Sequence, residues 1–315
     1  MSKLIFFDVN GILIQRDINT ANYFENEIYN QAFINQKESE TFDVSQDISI
    51  YYKNQDFRLL SKKIVKIVVG DYDYGNLRDA LEVKLEYQPI KDTLTIFGVH
   101  LDAGTGDADS RASAANKLRN YCNDLPADAP FIIAGDFNIY KSSEVAWQKL
   151  TESQSDNDGR VFDPVDRVGH WHNNSDFADV HTQSTRGNFG GLDDRFDFIL
   201  ISSAIKEDNS FNYINNSYTS YGNDGNHFNS SINDGGNRVV NDNLADALYN
   251  ASDHLPVYAD FQVSETNKID WNADKKPSTF LVQQNYPNPF NACTKIRYYT
   301  PERCDVQINI FNIKG

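Results

Sequence analysis

The chain has 315 residues, enough for one large domain plus an appendage, with 13% aromatic residues and a formal net charge of -16. That charge argues against a protein that grips nucleic acid through a basic face, because Lys and Arg neutralising phosphates dominate such binding. Three cysteines, Cys122, Cys293 and Cys304, form neither a disulfide framework nor a thiolate metal motif, and no run approaches the twenty or so apolar residues of a membrane span.

In chain order, Leu4-Ile5-Phe6-Phe7-Asp8 reads as a short strand ending in an acid. Ile48 to Tyr52, Ile64 to Val69, Leu81 to Leu85, Leu94 to His100, Phe131 to Asp136, Phe196 to Ile201 and Val257 to Val263 are short and rich in β-branched or aromatic residues, as strands are. Ser110 is placed to cap a helix whose Ala114, Leu118, Tyr121 and Cys122 share one face. From Glu207 to Asn250, Asn, Ser, Gly and Asp dominate and periodicity is lost, which reads as a long loop. Residues 264–279 read as a linker between a domain at 1–263 and a small β-rich module at 280–315 with strands at Thr294 to Tyr299 and Val306 to Ile310.

Four apolar runs end in side chains suited to metal-assisted phosphate chemistry. They are Phe97-Gly98-Val99-His100, Ile132-Ile133-Ala134-Gly135-Asp136-Phe137-Asn138, Arg195-Phe196-Asp197-Phe198-Ile199-Leu200 and Ser252-Asp253-His254-Leu255-Pro256-Val257. Phosphoester hydrolysis needs the phosphate charge neutralised and a water activated. Carboxylates on a divalent ion serve the first need and a histidine held by a carboxylate the second. Each run also has a plain structural reading: a strand-end histidine, an Asp-Phe-Asn turn, a cap at Asp253, an ion pair between Arg195 and Asp197.

The order of these motifs, with Arg111 after His100-Leu101, resembles the endonuclease/exonuclease/phosphatase superfamily over about Phe33 to Val263. The resemblance implies a four-layer α/β sandwich of the deoxyribonuclease I type and hydrolysis assisted by Mg²⁺ or Mn²⁺. It implies that His254 activates the attacking water or stabilises the phosphate, that Asp197 orients it, and that Asp136 positions or deprotonates the nucleophile. Asn138 and His100 would bind phosphate oxygens and Asp253 would contact the metal. The family's Gln-Glu strand is absent, which puts Asp8 where its metal-binding Glu belongs and leaves the first strand, with an export signal, expected before Met1.

The tail, from Gln284-Asn285-Tyr286-Pro287-Asn288-Pro289-Phe290-Asn291 to Ile310-Phe311-Asn312-Ile313-Lys314-Gly315, resembles the first half of the C-terminal sorting domain of type IX secretion cargo. Together the resemblances imply a secreted or surface-attached monomeric phosphoesterase, an endonuclease on DNA or RNA before other substrates, with the type IX machinery as a partner. A sphingomyelinase-like or small-molecule phosphodiesterase is the enzymatic alternative. A catalytically silent surface-binding module lacking a complete metal site is the alternative from another class.

Overall fold

The computed structural model describes residues 48–52, 56–68, 78–206 and 210–263, the backbone of two short strands at 2–6 and 30–33, and isolated positions from 279 onward. The chain divides into two units, Met1–Ser264 and Glu265–Gly315. Asp8 lies outside the described residues.

The first unit begins with the strands β1 (Ser2–Phe6), β2 (Asn30–Phe33) and β3 (Ser49–Tyr52). There follow β4 (Phe57–Val65), β5 (Ala80–Tyr87), β6 (Asp92–His100), the helix α1 (Ala108–Asn123), β7 (Phe131–Asp136) and α2 (Val145–Thr151). After β8 (Val161–Phe162) come β9 (Asp197–Ser202), the single turn α3 (Ser203–Lys206), β10 (Phe211–Tyr213), β11 (Thr219–Ser220), α4 (Asp242–Ala251) and β12 (Val257–Val263).

Six strands form one sheet in the order β4-β5-β6-β7-β9-β8, and β1, β12, β10 and β11 form a second. β6 and β7 are parallel while their neighbours are antiparallel, so the chain must cross over between them, and α1 is that crossover. The alternation of the strands sorts their side chains to two faces. Phe97, Val99, Ile133, Phe198 and Leu200 pack under α1 and α2 with Ala115, Leu118, Trp147 and Leu150. On the other face Ile96, Ile132, Ala134, Ile199 and Ile201 meet Val257, Ala259 and Phe261 of the second sheet. Helices, a first sheet and a second sheet thus make three layers of an α/β sandwich among the described residues, and both faces of the central strands are dry, which is why β6 and β9 read as continuous apolar runs.

Several sequence expectations are corrected. Ser110 does not cap α1: the helix starts at Ala108, Asp107 takes the cap position without a side-chain bond, and Ser110 sits in the first turn. The strand expected at Ile64 to Val69 is instead Phe57–Val65; its exposed face carries Arg58, Leu60, Ser61, Lys62 and Lys63, and a register shift between Leu59 and Ser61 breaks its alternation. The expected loop from Glu207 to Asn250 contains β10, β11 and α4, with Asn241 capping α4 through Leu244. Between these elements side chains bond the backbone in place of a ladder, as Asn223 does to Ala178 and His181 and Asn237 does to Gly222. Arg195 does not pair with Asp197. Its guanidinium forks onto Asp163 at 2.7 and 2.9 Å.

In the second unit, Leu281–Val282 pairs antiparallel with Tyr298–Tyr299. The expected strand at Thr294 to Tyr299 is therefore confined, among the described residues, to its last two positions, and none is described at Val306 to Ile310. Cys122 is a buried free thiol, pushed far up by that burial, and Cys304 is exposed and free. No helix of the described residues is long and apolar enough to cross a membrane.

Candidate active site

Three of the predicted side chains are placed by register alone. His100 ends β6 opposite Asp136, which ends β7, and Asp136 is in turn opposite Asp197, which opens the antiparallel β9. The row is kept tight by Gly135, whose φ of 139° lies outside the range of L side chains and whose Cβ, if present, would stand 1.9 Å from the Val99 carbonyl oxygen. The fourth side chain comes from the other sheet: His254 lies three residues ahead of β12 and reaches across to Asp197.

His254 Nδ1 is 2.8 Å from Asp197 Oδ2, and its Nε2 is 3.9 Å from Asp136 Oδ2. His100 Nε2 stands 3.4 Å from the same Asp136 oxygen. All four residues are buried. With Asp197 as the acceptor, the Nδ1 contact places a proton on Nδ1 and leaves Nε2 as the reactive nitrogen.

Asn138 adopts φ 49°, a conformation asparagine tolerates because its side chain bonds locally. Its backbone N–H donates to Asp136 Oδ1 at 2.8 Å, and its amide Nδ2 donates to Asp136 Oδ2 and to the Leu101 carbonyl, both at 3.0 Å. Reversing the amide would set Oδ1 against two acceptors. With both amide hydrogens committed, the group Asn138 has left to offer is an acceptor oxygen, suited to a cation or a water. The plain and functional readings of Asp-Phe-Asn are therefore one geometry.

Arg111 has no place among these groups. It is fully buried, donates to Glu144 at 2.9 and 3.1 Å and to the Asp102 and Gly104 carbonyls, and so ties the loop after His100 to the start of α2. Glu144 accepts from the Tyr140 N–H in turn.

Four neighbours were not anticipated from sequence. Gln183 places its amide Nε2 2.9 Å from His254 Nε2 and 3.4 Å from Asp253 Oδ2. His172 Nδ1 is 2.8 Å from Asp194 Oδ1 and meets the Tyr140 ring edge-on at 5.2 Å. Asp194 carried a signal, since it directly precedes the Arg195-Phe196-Asp197 motif; Gln183 and His172 sit in polar stretches with none. Arg78 is the fourth: it bears on His100 electrostatically, and the two share the wall of a cavity of about 330 Å³ with Asp102, Ser110 and Ser113.

Titration follows burial. His100 is held well below the ordinary histidine range, first by burial and then by Arg78 and His254, and burial lowers His181 as well. Burial raises Asp194 to about 6 against the opposing pull of His172. Below about pH 6.5 the unfolded chain's histidines take protons that the folded chain's His100 and His181 refuse, so folding stability falls as pH falls, by up to ~1.4 kcal/mol per pH unit for each. Asp194 opposes this between its unfolded value and about 6, and Asp193, also raised by burial, opposes it in the same direction at lower pH. Urea unfolding is expected to give lower stability at pH 5.5 than at pH 7.5; equal or higher stability at 5.5 would contradict neutral buried histidines.

The oxygen-rich donor set suits a hard divalent cation. Asp197 Oδ1 is buried without a hydrogen-bond partner, the kind of orphaned acceptor that a hydrated cation satisfies. Asp253, half-buried, and Asn138 Oδ1 are further oxygens at this end of the sheets. A separate group, His172, Asp193 and Asp194, brings its ligand atoms within 4.8 Å of one another; Asp253 does not belong to it, and Asp8 lies outside the described residues.

The sequence profile described as the Endonuclease/Exonuclease/phosphatase family matches residues 42–254. No curated protein matches the chain. Among solved structures, a humanised D. rerio TDP2 has 17% identity and a TM-score of 0.50, covering 77% of this chain and 81% of its own. The human Nocturnin catalytic domain with bound sulfate has 16% identity and a TM-score of 0.49 over 77% of this chain and 78% of its own. A protein from Bacteroides vulgatus of the same family name has 13% identity and a TM-score of 0.49 over 75% and 77%. With the profile spanning more than half of its length and the motif residues gathered at one end of an α/β sandwich, the chain belongs to the endonuclease/exonuclease/phosphatase family.

Proposed function

We propose that this protein hydrolyses phosphodiester bonds with the help of Mg²⁺ or Mn²⁺, and that nucleic acid is its substrate class. The observation that carries the reading is the row His100–Asp136–Asp197 at adjacent strand ends, closed from the second sheet by His254 on Asp197 at 2.8 Å.

In this reading His254 Nε2 takes the proton of the attacking water while Asp197 holds the ring and steadies the charge that forms on it. Asp136 lies 3.9 Å from that nitrogen and accepts from Asn138 with both oxygens, so it positions water more readily than it removes a proton. His100, neutral because it is buried, contributes a hydrogen bond rather than a charge to the phosphoryl group. Asp253, Asn138 and the orphaned Asp197 oxygen would hold the divalent ion, which neutralises phosphoryl charge when bound.

The rim favours one second reading. His172, Asp193 and Asp194 put two carboxylates beside the site, and carboxylates repel the further phosphates of a polynucleotide. A small phosphodiester whose alcohol is hydroxylated or cationic, such as a lipid headgroup, is the second substrate class that such a rim admits. The purified chain is to be assayed on plasmid DNA, on sphingomyelin and on bis-p-nitrophenyl phosphate with Mg²⁺ or Mn²⁺, then with excess chelator. Hydrolysis that the chelator stops is expected. Turnover that survives chelation, or folded protein inert on all three, would sink the proposal and, in the second case, favour the silent binding module.

For the C-terminal unit we propose a sorting role, addressing the protein through the type IX machinery to the cell surface or the medium. The residue pattern from Gln284 to Gly315 supports this; cells expressing the chain with and without residues 280–315 should differ in export.

A further inference from the structure

We propose that Gln183 is a further substrate-binding residue, which donates a side-chain N–H to the phosphoryl group beside His254. This inference rests on the phosphodiesterase reading above.

The carboxamide nitrogen of Gln183 lies 2.9 Å from His254 Nε2. Any water or phosphoryl oxygen that bonds to Nε2 must enter the same small volume, so Gln183 cannot be a bystander to that event. The second amide hydrogen has only a long contact, 3.4 Å to Asp253 Oδ2. The amide orientation is fixed by its surroundings, because the reversed carboxamide would turn its oxygen toward a carboxylate.

The residue is built to move its side chain and keep its backbone. The Gln183 N–H donates to the Asp194 carbonyl at 3.0 Å, and the Gln183 carbonyl accepts from the N–H groups of Asp193 and Asp194 at 2.8 and 2.9 Å. On one side the Thr182 carbonyl accepts from Leu255 at 2.7 Å, and on the other the Thr185 N–H donates to the Asp253 carbonyl at 2.9 Å. The backbone is thereby stitched to the segment that carries Asp253 and His254. The side chain, half-buried, needs only rotation about its own bonds to pass its N–H from Nε2 to an oxygen arriving there. A neutral donor also suits the position: a cation would be held by Asp253, and an anion would repel both Asp253 and the phosphate.

The test compares Gln183→Ala and Gln183→Met with wild type and with His254→Ala, using bis-p-nitrophenyl phosphate kinetics, inhibition by inorganic phosphate and the melting temperature with and without phosphate. Methionine keeps the shape and removes the donor. Both Gln183 variants are expected to raise KM and weaken phosphate binding about tenfold, as one lost hydrogen bond to a charged acceptor does, with kcat changed much less and the melting temperature unchanged. KM and phosphate affinity within twofold of wild type would overturn the proposal. So would a fall in kcat alone, which would make Gln183 an orienting residue for His254, or a parallel loss of stability and activity in both variants, which would make it structural. His254→Ala separates the two levels. If it is inactive while the Gln183 variants behave as wild type, only the inference about Gln183 fails; if it keeps full turnover, the role of His254 on which the inference rests fails; and wild-type protein inert on the phosphodiester fails the phosphodiesterase reading itself.

Discussion

Replacing His254 with alanine is expected to lower kcat on a phosphodiester by roughly a thousandfold or more, the range that a positioned general base contributes. Asp197→Asn should approach the same loss through a different cause. The amide presents either a donor or an acceptor to Nδ1, and where it donates, the imidazole proton moves to Nε2 and the base is lost at the atom that needs it. Neither variant should change which substrates are bound, because neither removes a group from the rim formed by His172, Asp193 and Asp194. Steady-state kinetics with circular dichroism as a fold control distinguishes the outcomes. A His254→Ala protein with wild-type kcat would leave the 2.8 Å pair as a core hydrogen bond joining the two sheets, the plain reading of a buried histidine and aspartate. The double variant should be little worse than either single one, since the two residues act as a unit.

Each partner of that pair was marked in the sequence because it ends or opens an apolar run, and buried strands advertise both their position and their ends; that the two pair was implied by the family resemblance alone. His100, Asp136 and Asp197 are adjacent for the same reason: parallel β6–β7 and antiparallel β7–β9 pairing bring these three termini to one edge. Gln183 and His172 were not readable, because what places them is a chain of backbone bonds between polar loops, among them Gln183 to Asp194 and Asn173 to Asp193. No periodicity encodes such bonds. The segment from Glu207 to Asn250 hid its structure similarly, since Asn, Asp and Ser side chains there satisfy backbone groups that a ladder satisfies elsewhere, as Asp224 does for Asn226 and Arg238. The sequence pattern points past β4 because the outer face of that strand is polar and irregular over most of its length. Asp8 had a strand-end signal of the same type as Asp136, yet lies outside the described residues, and its part in metal binding stands as a proposal for mutagenesis.

Gly135→Ala carries the largest expected effect on stability, and its cause links the fold to the site. Two penalties add at this position. The backbone sits at φ 139°, which costs an L residue about 1–3 kcal/mol. The new methyl would lie 1.9 Å from the Val99 carbonyl oxygen, a backbone atom of the adjoining strand, so relief requires β6 and β7 to separate rather than a side chain to turn. Overpacking of this kind costs about 1–3 kcal/mol more. A loss of several kcal/mol should appear as a melting temperature lower by roughly 10 °C in a domain of this size. Gly106→Ala is the matched control: nothing lies within 4 Å of its added Cβ and its φ is unexceptional, so its stability should stay within about 0.5 kcal/mol of wild type. Any Gly135→Ala protein that still folds should hold His100 and Asp136 farther apart than the 3.4 Å they now keep, and it should hydrolyse substrate more slowly at temperatures where it is fully folded. If Gly135→Ala melts and turns over like Gly106→Ala, then the close β6–β7 approach is not what sets the spacing of the catalytic row.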